Sequence, residues 1–184
     1  MTALRRGWAA DLHHFWFHEL SPADWFRQSD AVDAEVRRRF GRWHERLRGE
    51  RAENFRDSPR GTLAAVLLFD QVPRNLYRKD PRAFATDPLA RALVYAALRR
   101  DWDRPLTAPE RQFLYMPLMH SEAIADQLLS LRLFARLGPR HGWPFARAHY
   151  RMIARFGRFS HRNTVLGRES SAAEERAVAA GNGS

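Results

Sequence analysis

Ser58-Pro59-Arg60-Gly61-Thr62-Leu63-Ala64-Ala65-Val66-Leu67-Leu68-Phe69-Asp70-Gln71 is the segment whose reading decides the fold. Ser58 followed by Pro59 is a helix start: the serine hydroxyl accepts from an orphan N–H, and proline needs no donor in the first turn. From Leu63 to Phe69 the run is apolar on every side, too short to cross a bilayer and too uniform for a surface helix. Such a helix belongs at the centre of a helical body, with Pro73 as its stop. Asp70 falls on the same arc as Leu63, Val66 and Leu67, so a carboxylate points inward.

Outward from this segment the periodicity stays helical, and no window alternates like a strand. Residues 7–19 form an aromatic-rich first helix with Trp8, Leu12, Phe15 and Trp16 near one side. Ser21-Pro22 opens a short turn carrying Trp25 and Phe26. Asp30 caps a helix whose Val32, Val36, Phe40, Trp43 and Leu47 recur at three-four spacing. Asp87-Pro88 starts a helix reaching about Trp102, and Thr107 or Ala108 opens the next. Pro117 interrupts the pattern before a long helix from Leu118 to Leu137, ended by Gly138-Pro139. Residues 144–157 make a further helix. Ser171 with Glu174 has capping-box spacing for a last short one. The expected architecture is all-α: a single domain of antiparallel helix pairs over residues 1–180, with a disordered tail at 181–184.

Composition narrows the function classes. At 184 residues the chain buries a core without staples, and the absence of cysteine excludes disulfides, thiolate nucleophiles and Cys-ligated zinc. With no signal or membrane segment apparent, a cytoplasmic location is expected. The net charge is +10, and Lys79 is the one lysine among 31 basic residues. The arginines are spread along the chain, which reads as a solvated surface rather than a nucleic-acid footprint.

The candidate site comes from polar residues on apolar arcs. His120 and Gln127 fall within the arc of Ile124, Leu128, Leu131 and Ala135, whereas Glu122 and Asp126 lie with Leu129, Leu133 and Leu137. His149 is the centre of the arc of Phe145, Met152, Ile153 and Phe156. Phe156-Gly157-Arg158-Phe159-Ser160-His161-Arg162-Asn163-Thr164-Val165-Leu166-Gly167-Arg168-Glu169 then packs fork-shaped donors among aromatics. Buried polar atoms need partners, so these groups are expected to meet. The candidate set is Asp70, Arg74, Asn75, His120, Glu122, His149, Arg158, His161, Arg162, Asn163 and Arg168.

Three blocks in order carry a family resemblance. Leu68 to Asn75 resembles a "DQFPRN" block, Met116 to Glu122 an "LPxMHSE" block, and Phe156 to Glu169 an "FGRFPHRN…LGRES" block. With Phe15-Trp16-Phe17 and Trp25-Phe26, the chain resembles the bacterial domain-of-unknown-function family nine-two-four from about Phe15 to Glu175. Val72 and Ser160 stand where the family commonly has Phe and Pro. The resemblance implies a tetratricopeptide-repeat-like stack of α-hairpins and carries no reaction with it.

The reading that fits these residues is a binding module whose buried Arg/His/Asn/Asp pocket takes a small anionic ligand or an acidic protein segment. Arg74, Arg158, Arg162 and Arg168 are the expected donors, with the start of the Ser171 helix beside Arg168. The alternative is a hydrolase with His120 or His149 as general base and Asp70 or Glu122 orienting it, although no nucleophile motif accompanies them. Closed structural ion pairs would look the same in sequence. A metal at His14 and His18, or at His120, His149 and Asp70, is a weaker option because arginines surround the second set. No cofactor is expected, and nucleic-acid or membrane roles rank below ligand binding.

Overall fold

The computed structural model describes residues 3–180, so the expected tail at 181–184 lies outside the described residues. Those residues hold helices and turns, with no strand among them. In order they are α1 (Ala3–His14), α2 (Asp30–Leu47), α3 (Pro59–Val66), α4 (Val72–Leu76), α5 (Asp87–Leu98), α6 (Ala108–Met119), α7 (Ile124–Leu137), α8 (Trp143–Phe156) and α9 (Ala172–Ala179). Short connections fold successive helices against one another, as in α5 with α6, α6 with α7 and α7 with α8, while α3 lies against α1, α5 and α6.

The ends follow the expected chemistry. Ser58 Oγ accepts from Gly61 N at 3.1 Å, and Pro59 occupies the first turn of α3. Thr107 and Glu110 form a reciprocal capping box at α6, as do Ser171 and Glu174 at α9. At α2 the cap is Ser29 rather than Asp30, which is the first helical residue. Gly157 closes α8 with φ +70°, a conformation that a residue with a Cβ rarely adopts.

Two breaks differ from expectation. Pro73 does not stop the central helix. A wide π-turn over Leu67–Gln71 joins α3 to α4, and the helix runs through Pro73 to Leu76. Proline has no N–H to give the Phe69 carbonyl one turn back. The buried Thr86 hydroxyl donates to that carbonyl instead, at 2.6 Å. The second difference is that no single helix spans Leu118 to Leu137. Helix α6 continues past Pro117 to Met119, and residues 120–123 form a turn before α7. Gln127 Nε2 donates to the Met119 and Ser121 carbonyls at 2.8 and 2.6 Å, satisfying the backbone that the turn leaves open. The α5 helix ends at Leu98, four residues short of Trp102.

The turn also resets which face of α7 is buried. Asp126, Gln127, Ser130, Leu133 and Phe134 are buried, whereas Ile124 and Leu128 are exposed. Leucines on both sides of this helix made its arc ambiguous from periodicity alone. Phe145 of α8 is likewise exposed.

The main core gathers α1 through α8 around the central helix, in which every residue from Leu63 to Asp70 is fully buried. Phe113 of α6 is the hub of its aromatic end, with the rings of Trp16, Phe17, Trp25 and Phe26 at 5.1–6.3 Å between centroids. A smaller apolar cluster of Met152, Ile153, Phe159 and Ala177 ties α8 to the C-terminal segment. No helix among the described residues is long and apolar enough to cross a membrane.

Candidate functional site

The π-turn sets the centre of the site. Asp70 lies in it, fully buried, and its carboxylate oxygens sit 2.9 and 3.1 Å from His120 Nδ1. The Gln71 side-chain amide donates to the same carboxylate, and Arg74 Nη1 lies 3.3 Å from it. Arg74 then forks onto Asp87 with contacts of 3.0 and 3.1 Å, a bidentate pair. His120 is the residue that ends α6. The helix break places it opposite the π-turn.

Arg162 enters from the C-terminal segment. Its Nη1 donates to the His120 carbonyl at 3.1 Å and lies 3.8 Å from Asp87. The guanidinium stands over the Phe84 ring at 4.5 Å and over Phe159 at 4.4 Å. Only 7% of the residue is exposed, and its Nε has no hydrogen-bond partner. His149 of α8 has its ring 6.3 Å from that of His120 and 5.1 Å from Phe159. The His161 ring lies 5.5 Å from that of Phe159, tilted by 45°, but the residue is itself exposed.

Two arginines and two aspartates set the electrostatics of this group: Arg74 lies against Asp70 and Asp87, and Arg162 lies near Asp87. Burial pushes the Arg162 guanidinium down to about 10, and the neighbouring Arg74 charge adds to the effect, more than Asp87 and Asp70 offset. Burial would raise the Asp70 carboxyl, but Arg74 and His120 outweigh it and hold it well below the usual carboxylate range. Burial lowers His120 below its ordinary value, with Asp70 opposing and Arg74 assisting. Burial likewise pushes the His149 imidazole down to about 4; the Phe145 carbonyl opposes this, and Arg162 and His161 reinforce it.

A pH dependence follows for His149. Its folded pKa, about 4, is below the ordinary value of 6.5, so protons bind preferentially to the unfolded chain between these values. The neutral ring's contribution is complete above about pH 6.5 and is lost as pH falls through about 4. Urea-unfolding midpoints measured across that window should fall, and His149→Phe should flatten the fall; an unchanged slope in the variant would exclude His149 as its source.

Not every candidate joins this group. Asn75 donates to Asp33 of α2 at 2.7 Å, a carboxylate that Arg78 also holds, and so braces α4 against α2. Arg158 forks onto Glu174 with contacts of 2.7 and 2.9 Å, and Asn163 reaches the same carboxylate at 3.2 Å. Ser160 adds a third donor at 3.1 Å. These side chains fasten α9 to the loop. Arg168 forks onto Glu122 with two contacts of 2.9 Å, and Glu122 also accepts from Phe159 N. Arg158 and Arg168 are thus committed to carboxylates, and the start of α9 is filled by Glu174. Arg74, Arg162, His120, His149 and Asp70 remain together, with His161 at the edge.

Sequence reasoning missed Asp87 and Phe84 as members and Glu174 as the anchor. Spacing identifies Asp87 by its Asp-Pro helix start and Glu174 by its capping box, and each carries a second role that spacing does not reveal. His14 and His18 stack on each other, and His14 is exposed beside Glu19. Among the described residues no group of three or more His, Asp or Glu is arranged to hold a metal ion. A separate cleft of about 680 Å³ lies between α1 and the start of α3, lined by Trp8, His13, Phe55 and Gly61.

The comparisons with known proteins agree with this helical frame. Residues 12–182 match the model of the family described as "Bacterial protein of unknown function (DUF924)". A solved structure of a protein of unknown function from Agrobacterium tumefaciens is similar to this chain, with 35% identity over 92% of this chain and 96% of that one and a TM-score of 0.87. Among curated proteins none matches.

Proposed function

The chain belongs to the DUF924 family of bacterial proteins of unknown function, and from that premise we propose that the cluster around Arg74 and Arg162 binds a small anion. One observation carries the reading: Arg162 is buried between two aromatic rings, beside a second arginine, with its Nε unpaired. A buried guanidinium that spends so few of its five donors is costly unless something else meets it. The carboxylates present are already engaged, Asp87 by Arg74 and Asp70 by His120 and Gln71. An anion at this place supplies the missing acceptors.

The size of the effect is bounded. At about 1.5 kcal/mol per heavy atom, a five-atom oxyanion reaches micromolar affinity at best. Isothermal titration calorimetry with inorganic phosphate and with citrate should show saturable binding that weakens as sodium chloride rises. Absence of heat for both, on a folded protein, would end the proposal. An acidic protein segment is a less favoured occupant, since Arg158 and Arg168 are committed elsewhere. Nucleic-acid binding gains no support, because arginines such as Arg38, Arg39 and Arg82 are paired with Glu35, Asp11, Glu19 and Asp80.

A second reading rests on the Asp70–His120 contact. A carboxylate that holds Nδ1 leaves the other ring nitrogen available as a general base. Ser121 is not its nucleophile, being buried with its hydroxyl accepting from Ala123 N at 3.2 Å. A screen of ester, phosphate and amide substrates in which the native protein exceeds His120→Ala would favour this enzyme reading over simple binding.

A further inference from the structure

We infer that the anion taken by this site is one that carries its own hydroxyl proton, with hydrogen phosphate the simplest member of the class. The inference deepens the anion-binding proposal and rests on it. The polar atoms of this cluster divide into donors and acceptors.

Asp70 accepts through its carboxylate, so the contact of 2.9 Å to His120 Nδ1 requires the proton to be on Nδ1. In the neutral ring Nε2 is then a bare lone pair. The same reasoning applies to His149: the Phe145 carbonyl at 2.9 Å only accepts, so Nδ1 is the donor and Nε2 the lone pair. Both Nε2 atoms make no hydrogen bond among the described residues. The two rings lie 6.3 Å apart, and the Arg162 charge acts on both. Arg162 offers the opposite chemistry: its guanidinium only donates, and one hydrogen bond, from Nη1 to the His120 carbonyl, is all it gives.

A ligand that satisfies all of these must accept from the arginine and donate to a histidine. Sulfate and acetate only accept at neutral pH; their oxygens would face imidazole lone pairs and the Asp70 and Asp87 carboxylates without a proton between. Hydrogen phosphate has the size and charge of sulfate and adds one O–H. A hydroxycarboxylate such as glycolate offers the same pairing of anion and hydroxyl. The discrimination comes from the hydrogen bond that the ligand's O–H gives to an imidazole lone pair and that sulfate or acetate cannot give.

The test is calorimetric titration at about pH 7.5, where unperturbed histidines are mostly neutral, with four probes in two matched pairs. The pairs are inorganic phosphate against sodium sulfate and glycolate against acetate. The hydroxyl-bearing member of at least one pair should bind about tenfold or more tightly than its partner, and the pair that discriminates identifies the source of the hydroxyl. His149→Phe keeps an aromatic ring and removes the lone pair, and His120→Gln keeps a donor for Asp70 while removing Nε2. In a folded variant lacking the responsible acceptor, the preference should shrink to within about threefold while sulfate or acetate binding holds. Equal binding within both pairs would overturn the inference and leave the anion site standing. A preference unchanged in both variants would overturn it as well. Failure of all four probes would overturn this inference, and failure of citrate as well would remove the parent proposal with it.

Discussion

Arg162→Met is expected to abolish phosphate binding, by about a hundredfold or more, while leaving the thermal unfolding midpoint unchanged or raised. The affinity loss follows from removing a desolvated charge-assisted donor, which costs about 2–5 kcal/mol at a buried contact. The stability effect has the opposite origin. Folding places this guanidinium where burial and the Arg74 charge disfavour its charged form, pulling it down to about 10. Replacing a poorly compensated buried charge with an apolar side chain is often neutral or stabilising. Methionine also suits the slot between Phe84 and Phe159, since thioether sulfur packs well on aromatic rings. The substitution gives up one bond, to the His120 carbonyl, while Asp87 keeps its fork from Arg74. Calorimetry and differential scanning fluorimetry on one preparation separate the two effects. A collapse of the fold in Arg162→Met would make the arginine a brace between helices and sink the binding reading.

The largest stability loss is expected at Phe113. This ring is fully buried and meets Trp16, Phe17, Trp25 and Phe26, so truncation leaves a cavity that four aromatic neighbours cannot refill. Phe113→Ala should cost about 3–5 kcal/mol, and for a domain of this size each kcal/mol lowers the melting midpoint by about 2–4 °C. Urea unfolding with an unchanged m-value is the check. A loss below about 1 kcal/mol would mean that the segment joining α1 to α2 collapses into the space, and that the aromatic end is less rigid than its packing implies.

How much was legible in the sequence depended on how local the signal was. The central helix could be read because apolarity on every side has one physical solution, and the Ser58, Thr107 and Ser171 starts because caps are chemistry between neighbours. Pro73 and Pro117 both lie inside helices. A proline removes one hydrogen bond and strains one turn, but whether the helix ends depends on its surroundings, and at Pro73 the distant Thr86 takes up the freed Phe69 carbonyl. At the site, Asp70 is the residue whose inward direction follows from helical phase; His120 lies in the turn after α6 rather than on a helix with Ile124 and Leu128, which are exposed, and His149 is half-buried on an arc whose Phe145 is exposed. The Phe159–Glu169 loop did not sort itself: Arg158 and Asn163 serve Glu174, Arg168 serves Glu122, and Arg162 alone turns toward His120 and Asp87. Loop residues have no period, so nothing in their spacing distinguishes a fastener from a ligand donor. Asp87 was hidden because one side chain near a helix start also answers Arg74 across the fold.

The wide turn at Leu67–Gln71 makes the charged centre a matter of counting. A π-turn accommodates one more residue than the α-turn it replaces, so everything beyond it is rotated by about one residue's step of 100° relative to a regular helix. Excising a single residue there would yield a smoother cylinder of nearly the same apolar content. Yet Asp70 and Arg74 would no longer share a bearing with α5 and the end of α6, and the carboxylate would lose its imidazole. Alignment of the charged centre is therefore stored in the length of the most deeply buried rod, where insertions and deletions are least tolerated, and not in the loops around it.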